Sequence, residues 1–281
     1  MKWFSICCIG ALLLVLCSPN VHSQGLTRGD AAGVANMDYT GDCPGDDLDY
    51  DYYLIKAWAD EMEANLFTTN FVYPNINHLW MTDYNLVDWG RDHLKMETYH
   101  FVIISGHGGT VTVNNLDQNR IKLGKQNPNG DCYVYPRYQM KIGDNNQHKL
   151  KILHLVTCHG MTVDQGRLAN TWNNTFAGIH QIHGFHGVSW SMPALLSDFE
   201  HLANHGQGNN VAYEWLFEMH HEEFEFDQCP VVYIGADSET QANQIFQNET
   251  YRVRDDPIYT EPSLFKRWYF EGCDPSQGGP M

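Results

Sequence analysis

Basic residues and long apolar segments are both scarce in this sequence of 281 residues. Lys and Arg number 17 against 34 Asp and Glu, which gives a formal net charge of −17. Nucleic acids and anionic membranes are bound by clustered Lys and Arg, so this balance argues against both as partners. No internal run approaches the roughly 20 apolar residues that cross a bilayer, so no membrane insertion is predicted. An HExxH metalloprotease motif, an internal repeat and a low-complexity tract are also absent.

Residues 1–23 have the pattern of a secretory signal peptide. Lys2 precedes an apolar run over residues 6–16, and residues 21–23 (Val-His-Ser) end in a small residue suited to cleavage. The run is too short to span a membrane. We therefore expect a secreted, extracellular protein, and the loss of Lys2 takes its formal net charge from −17 to −18.

Cysteine counting supports one free thiol in an otherwise disulfide-bonded protein. Cleavage of the signal leaves an odd number of cysteines in an oxidising compartment, which calls for an explanation. Only Cys158 follows an apolar run, whereas the others lie among Gly, Pro, Asp and Asn. We expect Cys158 to be free and the other four to form two disulfides, in any of three pairings; the alternative is that Cys158 is a buried structural thiol. Those four are Cys43, Cys132, Cys229 and Cys273.

Two short runs rich in β-branched residues have the pattern of buried strands in a parallel sheet. Residues 99–104 lead into Ser-Gly-His-Gly-Gly, and residues 150–156 lead into Thr-Cys-His-Gly. Catalytic groups of open α/β sheets gather where such strands end. If the two strands are neighbours, His107 and Cys158 emerge side by side. A thiol beside an imidazole is a nucleophile beside its base.

These motifs resemble those of the cysteine peptidase clan that includes caspases, legumains and gingipains. Gly-His-Gly around His107 is closest to the gingipain-like branch, and Cys158 follows His107 by 51 positions, near the spacing of about 50 in caspases. The resemblance covers residues 98–191. It departs at Thr157, where the family usually has Ala, and at His159, which adds a second imidazole.

The resemblance implies a fold and a set of roles. The fold is a caspase-like three-layer α/β sandwich with a mostly parallel central sheet, which the alternation of strands and helices also predicts. His107 and Cys158 would form the dyad of an endopeptidase acting through a thioester, on a peptide or protein substrate and without a cofactor. The backbone N–H groups of Gly108 and Cys158 would hold the oxyanion. Ser189 and Trp190 would border the pocket for the residue before the scissile bond.

Two other functions remain open. One is a catalytically silent secreted protein that binds a partner or matrix. The other is a metal-dependent enzyme using His180, His183 and His186, with residues 220–223 (His-His-Glu-Glu) as further ligands. Gly178, Gly184 and Gly187 argue against a helix there, and residues spaced by three in a strand point to opposite faces, so no metal site is predicted.

The remaining predictions concern boundaries and surface sites. Residues 24–52 are expected to be an acidic Gly/Asp-rich segment, and residues 53–281 an α/β hydrolase domain with a C-terminal tail. Asn173 and Asn248 begin the glycosylation triplets Asn-Asn-Thr and Asn-Glu-Thr. Helices are predicted over 53–66, 163–176, 192–203 and 209–222, strands near 71–73 and over 110–113, 132–142 and 230–235, and a polar loop over 115–131.

Overall fold

The structure is a computed structural model of the chain. It describes residues 29–36, 39, 43, 45–65, 67–72, 96–122, 131–144, 148–162, 171–223, 226–252 and 262–270. The predicted signal peptide, residues 163–170 of the helix predicted over 163–176, and Cys273 lie outside the described residues. Within the described residues, no helix is both long and apolar enough to cross a membrane.

Twelve strands and five α-helices make up the described structure. The strands are β1 (Asp30–Val34), β2 (Thr68–Val72), β3 (Phe101–Ser105), β4 (His107–Val113), β5 (Leu116–Lys122), β6 (Tyr133–Val134), β7 (Ile152–Val156), β8 (Gln181–Phe185), β9 (His221–Glu223), β10 (Phe226–Gln228), β11 (Pro230–Ala236) and β12 (Leu264–Trp268). The helices are α1 (Asp51–Ala64), α2 (Pro136–Gln139), α3 (Leu196–His205), α4 (Val211–Glu218) and α5 (Glu239–Asn248). Short 3₁₀ turns cover Asn173–Thr175 and Pro193–Leu195.

The central sheet is mixed but mostly parallel. Its seven strands lie in the order β12-β11-β8-β7-β3-β1-β2. Every neighbouring pair from β8 to β2 is parallel, whereas β11 is antiparallel to both β8 and β12. The predicted α/β class with a mostly parallel sheet is therefore confirmed.

Two hydrophobic clusters cover the two faces of the sheet. On one face, Phe101 and Ile103 of β3 pack in a cluster with α1, α3 and α4. On the other, Val102 and Ile104 pack with Trp172 and residues of the β4–β6 region. This alternation is what the period of a strand requires of β3, which is buried throughout.

Strand β1 corrects the predicted domain boundary. Residues 24–52 were expected to precede the α/β domain, yet Asp30–Val34 pairs with both β2 and β3 inside the central sheet. The sequence Asp-Ala-Ala-Gly-Val contains a single β-branched residue, so it lacks the pattern of a buried strand. Burial between two neighbours overrides that weak propensity.

A second sheet, of three strands, follows β3 directly in the chain, because β4 begins at His107 and β3 ends at Ser105. Strands β4, β5 and β6 pair antiparallel in that order. The expected polar loop over 115–131 is wrong in its first part, because Leu116–Lys122 pairs along all of β4. Its sequence, Leu-Asp-Gln-Asn-Arg-Ile-Lys, is mostly polar. It forms a strand because it pairs with β4 and β6, although its composition favours a loop. The C-terminal region likewise contains β12, where only a tail was expected.

Candidate active site

The strands that lead to His107 and Cys158 are parallel neighbours. Residues Phe101–Ser105 of β3 pair in register with Ile152–Val156 of β7. His107 and Cys158 each lie two positions beyond the last residues of that pairing, at the same edge of the sheet. The predicted adjacency of the two strands is confirmed.

Gly108 brings the two strand ends into direct contact. A Cβ at this position would overlap the carbonyl oxygen of Cys158 and would lie 3.0 Å from Cβ of Thr157. Any side chain here would therefore push the turn containing Cys158 away from β4. This explains in steric terms why glycine follows His107.

A tight turn presents Cys158. The N–H of Gly160 donates to the carbonyl of Thr157 at 3.3 Å, and His159 has a left-handed backbone with φ of 51°. A non-glycine residue in this region is uncommon and such strain often accompanies functional sites. The turn is fixed from outside, because the N–H of His159 donates to Gly187 O at 2.6 Å and its carbonyl accepts from Asn119 Nδ2 at 2.9 Å.

Cys158 is a free thiol, and the structure describes one of the two predicted disulfides. Cys43 and Cys132 form a disulfide with an S–S distance of 2.07 Å. Cys229 is also disulfide-bonded, and Cys273, the last of the four cysteines predicted to pair, lies outside the described residues. Among the described cysteines only Cys158 is free, and it is partly buried.

The backbone of Ser189 holds the Cys158 sulfur. Sγ lies 3.4 Å from both the N–H and the carbonyl oxygen of Ser189, so the thiol can accept from one and donate to the other. Burial raises the pKa of the thiol, the Ser189 hydrogen bond opposes this increase, and the nearby Asp51 carboxyl adds to it. The resting sulfur is therefore a protonated thiol at neutral pH and needs a base to become a nucleophile.

His107 is held by two groups that precede the first helix. Its Nε2 lies 2.6 Å from the carbonyl oxygen of Asp46, and its ring packs against the ring of Tyr39 with centroids 4.3 Å apart. A carbonyl oxygen can only accept, so Nε2 must carry the hydrogen of the neutral ring. Nδ1 is then the basic nitrogen.

Tyr39 fixes the backbone as well as the ring. Its hydroxyl accepts from the N–H of His107 at 3.1 Å and lies 3.3 Å from the carbonyl of Lys122, to which it donates. Its own N–H donates to Asp47 Oδ1 at 2.9 Å. Burial raises its pKa far above the usual range, so it stays protonated and keeps both contacts. Sequence reasoning missed Tyr39, which is 68 positions from His107.

Asp51, which lies in the predicted acidic segment of residues 24–52, is a buried carboxyl beside the site. It is 2 % exposed and begins α1. Burial raises its pKa to about 7, an effect that the hydroxyls of Ser191 and Ser105 oppose. Its charge also raises the pKa of the Cys158 thiol. In the sequence Asp51 is one of several closely spaced Asp residues, and this spacing does not predict that its side chain is buried.

The residues proposed for the substrate pocket lie where the turn of Cys158 is anchored. Ser189 contacts the sulfur through its backbone, and the N–H of Trp190 donates to Gln228 Oε1 at 2.9 Å. Gln228 is itself buried and donates to Met219 O at 2.9 Å. Ser189 is therefore beside Cys158, and the next residue, Trp190, is held in place by its hydrogen bond to Gln228.

The histidines at 180, 183 and 186 do not meet as metal ligands. His180 Nδ1 contacts Glu249 Oε1 at 2.6 Å, whereas His183 Nδ1 contacts His154 Nδ1 at 3.1 Å. His183 lies inside β8, with His180 before it and His186 after it. Among the described residues, the one cluster with ligand atoms close enough for a metal ion lies elsewhere, at His205, Glu214 and Glu218.

The two glycosylation triplets differ in exposure. Asn248 is exposed at the end of α5. Asn173 is half-buried, its Oδ1 accepts from the Tyr233 hydroxyl at 2.6 Å, and Thr175 of its triplet is fully buried. In the folded protein, Asn248 is the more accessible acceptor.

Comparison with known families places the whole site within one domain. The model of a family described as a domain of unknown function (DUF6345) matches residues 35–269. The chain belongs to that family. The matched range includes Tyr39, Asp51, His107 and Cys158. Strand β1 (Asp30–Val34) precedes it, whereas the other described strands of the central sheet lie inside it. No curated protein matches the chain.

Proposed function

We propose that the protein is a secreted cysteine hydrolase of caspase-like fold, most simply an endopeptidase. The observation that carries the proposal is that adjacent parallel strands deliver His107 and Cys158 to one edge of the sheet with the same offset. The free state of Cys158 in a disulfide-containing domain adds support. Secretion rests on the N-terminal sequence and on that disulfide, since disulfides persist in oxidising compartments.

In the proposed reaction, His107 and Cys158 act together on a bound peptide. The Cys158 proton passes to Nδ1 of His107, and the thiolate attacks the carbonyl carbon of the peptide bond. His107 then gives the proton to the leaving amine as the C–N bond breaks, which leaves a thioester. His107 next takes a proton from water, and the hydroxide attacks the thioester. The C–S bond then breaks to release the acid product, and His107 returns its proton to the thiolate.

The contacts of the resting site fit this sequence of steps. The Asp46 carbonyl stabilises an imidazolium, because it accepts from Nε2–H in both the neutral and the charged ring. Gly108 approaches the backbone of Cys158 so closely that no side chain fits between them, which keeps the backbones of the two residues together. We propose that the N–H groups of Gly108 and Cys158 hold the oxyanion there.

A peptide-library digest tests the proposal. Secreted wild-type protein and Cys158→Ala are incubated with the library and new termini are mapped by mass spectrometry. We expect defined cleavages from the wild type, and from a Ser197→Ala control at an exposed position of α3, but none from Cys158→Ala. Equal cleavage by the wild type and Cys158→Ala would assign the activity to a contaminant.

A silent binding protein is the second candidate, and one observation favours it. The described contacts of the Cys158 sulfur are with Ser189, and the hydrogen bond of the His107 ring is with Asp46. Each member of the dyad is thus held by the backbone of another residue. If the wild type cleaves no peptide in the digest while folding normally, the binding function replaces the hydrolase.

A further inference from the structure

Two consecutive helices place two histidines opposite two glutamates. His201 and His205 are one turn apart on α3, and their rings stack with centroids 5.2 Å apart. Glu214 and Glu218 are one turn apart on α4. Residues separated by four positions share a face of a helix, so each pair presents its polar atoms in the same direction.

The four side chains converge. His205 Nδ1 lies 3.1 Å from Glu218 Oε1 and 3.5 Å from Glu214 Oε2. His201 Nδ1 lies 3.5 Å from Glu218 Oε2. The ligand atoms of His205, Glu214 and Glu218 all lie within 4.8 Å of one another.

The carboxylates are buried while the imidazoles reach solvent. The side chains of Glu214 and Glu218 are 7 % and 8 % exposed, against 45 % for His205. In the described part of the chain neither carboxylate pairs with Lys or Arg. Two carboxylates so close together at a buried position repel one another unless a cation compensates them. The opening on the histidine side gives such a cation a route in.

We propose that His201, His205, Glu214 and Glu218 form a binding site for a divalent transition metal, with Zn²⁺ as the ion of choice. Zinc takes imidazole nitrogen and carboxylate oxygen at about 2.0–2.2 Å in tetrahedral geometry, which puts neighbouring ligand atoms roughly 3.3–3.6 Å apart. The three histidine–glutamate separations, 3.1, 3.5 and 3.5 Å, are close to that edge length. Ca²⁺ and Mg²⁺ prefer sites built from oxygen alone, so the imidazoles select against them.

A neighbouring side chain supports the site. Asn209 Nδ2 donates to Glu214 Oε1 at 2.8 Å, which leaves Oε2 directed toward His205. Partners of this kind orient metal ligands in known sites. A bound ion would join α3 to α4 and so clamp two helices that pack on the same face of the sheet. The site uses none of the residues assigned to the proposed hydrolase, so a test of one proposal does not decide the other.

Zinc titration of the full secreted chain tests the site. Because a thiol and an imidazole at the rim of the sheet could also bind zinc, the titration uses Cys158→Ala protein stripped with chelator. Calorimetry should show one Zn²⁺ per chain, and saturating Zn²⁺ should raise the melting temperature. If zinc binding is lost in this Cys158→Ala protein while the wild type retains it, the ion binds at the rim and the proposal fails.

Ligand variants locate the ion. His205→Ala, at an exposed position that tolerates truncation, and Glu218→Gln should each weaken zinc binding roughly 10-fold or more. Glu200→Gln, an exposed change on the same helix, should leave the affinity unchanged. Circular dichroism without zinc shows whether each variant is folded. Unchanged affinity in a folded double variant His201→Ala/His205→Ala would overturn the proposal, as would the absence of stoichiometric binding.

Discussion

Histidines occupy two contrasting regions along strand β7 and its two neighbours, β3 and β8. At the carboxyl edge, His107 contacts backbone carbonyl and tyrosine groups next to a free thiol. In the middle of β7 and β8, His154 and His183 face each other across paired strand positions and are fully buried. Position along the strand thus separates a half-buried histidine at the rim from two histidines in the core.

The buried pair belongs to a continuous chain of hydrogen bonds. His183 Nε2 contacts Gln181 Oε1 at 2.8 Å, and His154 Nε2 contacts the Tyr251 hydroxyl at 2.7 Å. Trp58 Nε1 also donates to that hydroxyl, at 3.1 Å. Burial lowers the pKa of His154 to about 3, and burial together with the neighbouring His154 lowers the pKa of His183 well below its usual value. Both rings therefore stay neutral and act as internal connectors.

The largest expected effect is on turnover at the rim. His107→Ala and Cys158→Ala should each reduce peptide hydrolysis at least about 1000-fold, because the nucleophile and base of the proposed dyad would act as one unit. His159→Ala should keep a measurable rate, since its backbone turn and not its ring is what the site uses. Rates on a peptide identified by the library digest provide the measurement. Near-normal hydrolysis by His107→Ala with a dead His159→Ala would move the base to His159.

The next effect is on stability in the core. His183→Leu removes the partner of His154 Nδ1 and of Gln181 Oε1, and leaving two buried polar groups unsatisfied costs roughly 2–4 kcal/mol. Urea denaturation should show this loss, while activity per folded molecule stays near the wild-type value. His107→Ala should instead lose activity and keep a stability near the wild-type value. If His183→Leu were as stable as the wild type, the claim that the buried histidines stabilise the core would be contradicted.

Much of the rim could be predicted from sequence, whereas its supporting contacts could not. The β-branched runs before Gly106 and Thr157 identify buried strands, and the carboxyl-edge rule then brings His107 and Cys158 together. The contacts of Tyr39 and Asp51 join distant parts of the chain, and no local pattern encodes them. Strand β1 could not be predicted either, because its Ala and Gly residues have no β-strand propensity and it forms only between neighbouring strands.

Acid should destabilise the core through its histidines. Their folded-state pKa values lie below the unfolded value of about 6.5, so the unfolded chain binds more protons below that pH. Each histidine therefore costs about 1.4 kcal/mol per pH unit as the pH falls from about 6.5 toward its folded pKa. Denaturation curves at a series of pH values should show a shallower decline in His183→Gln than in the wild type. Parallel declines would contradict the burial account.

Asp51 should act in the opposite direction and with a smaller effect. Its pKa is raised from 3.8 to about 7, so the folded state binds the extra proton and gains stability that disappears as the pH rises through 7. Asp51→Asn keeps the volume without the charge. We expect it to steepen the acid decline, and to raise the rate of Cys158 alkylation a few-fold at pH 8 because the thiol pKa falls. An unchanged alkylation rate would show that Asp51 does not act on the thiol.

The central claim, that His107 acts on the Cys158 thiol, can be tested without knowing the substrate. The measurement is the rate of Cys158 alkylation by iodoacetamide at pH 7, in the wild type and in His107→Ala, with the labelled peptide identified by mass spectrometry. If His107 accepts the thiol proton, the variant reacts several-fold more slowly, whereas His159→Ala reacts at the wild-type rate. Equal rates in wild type and a folded His107→Ala would contradict the dyad.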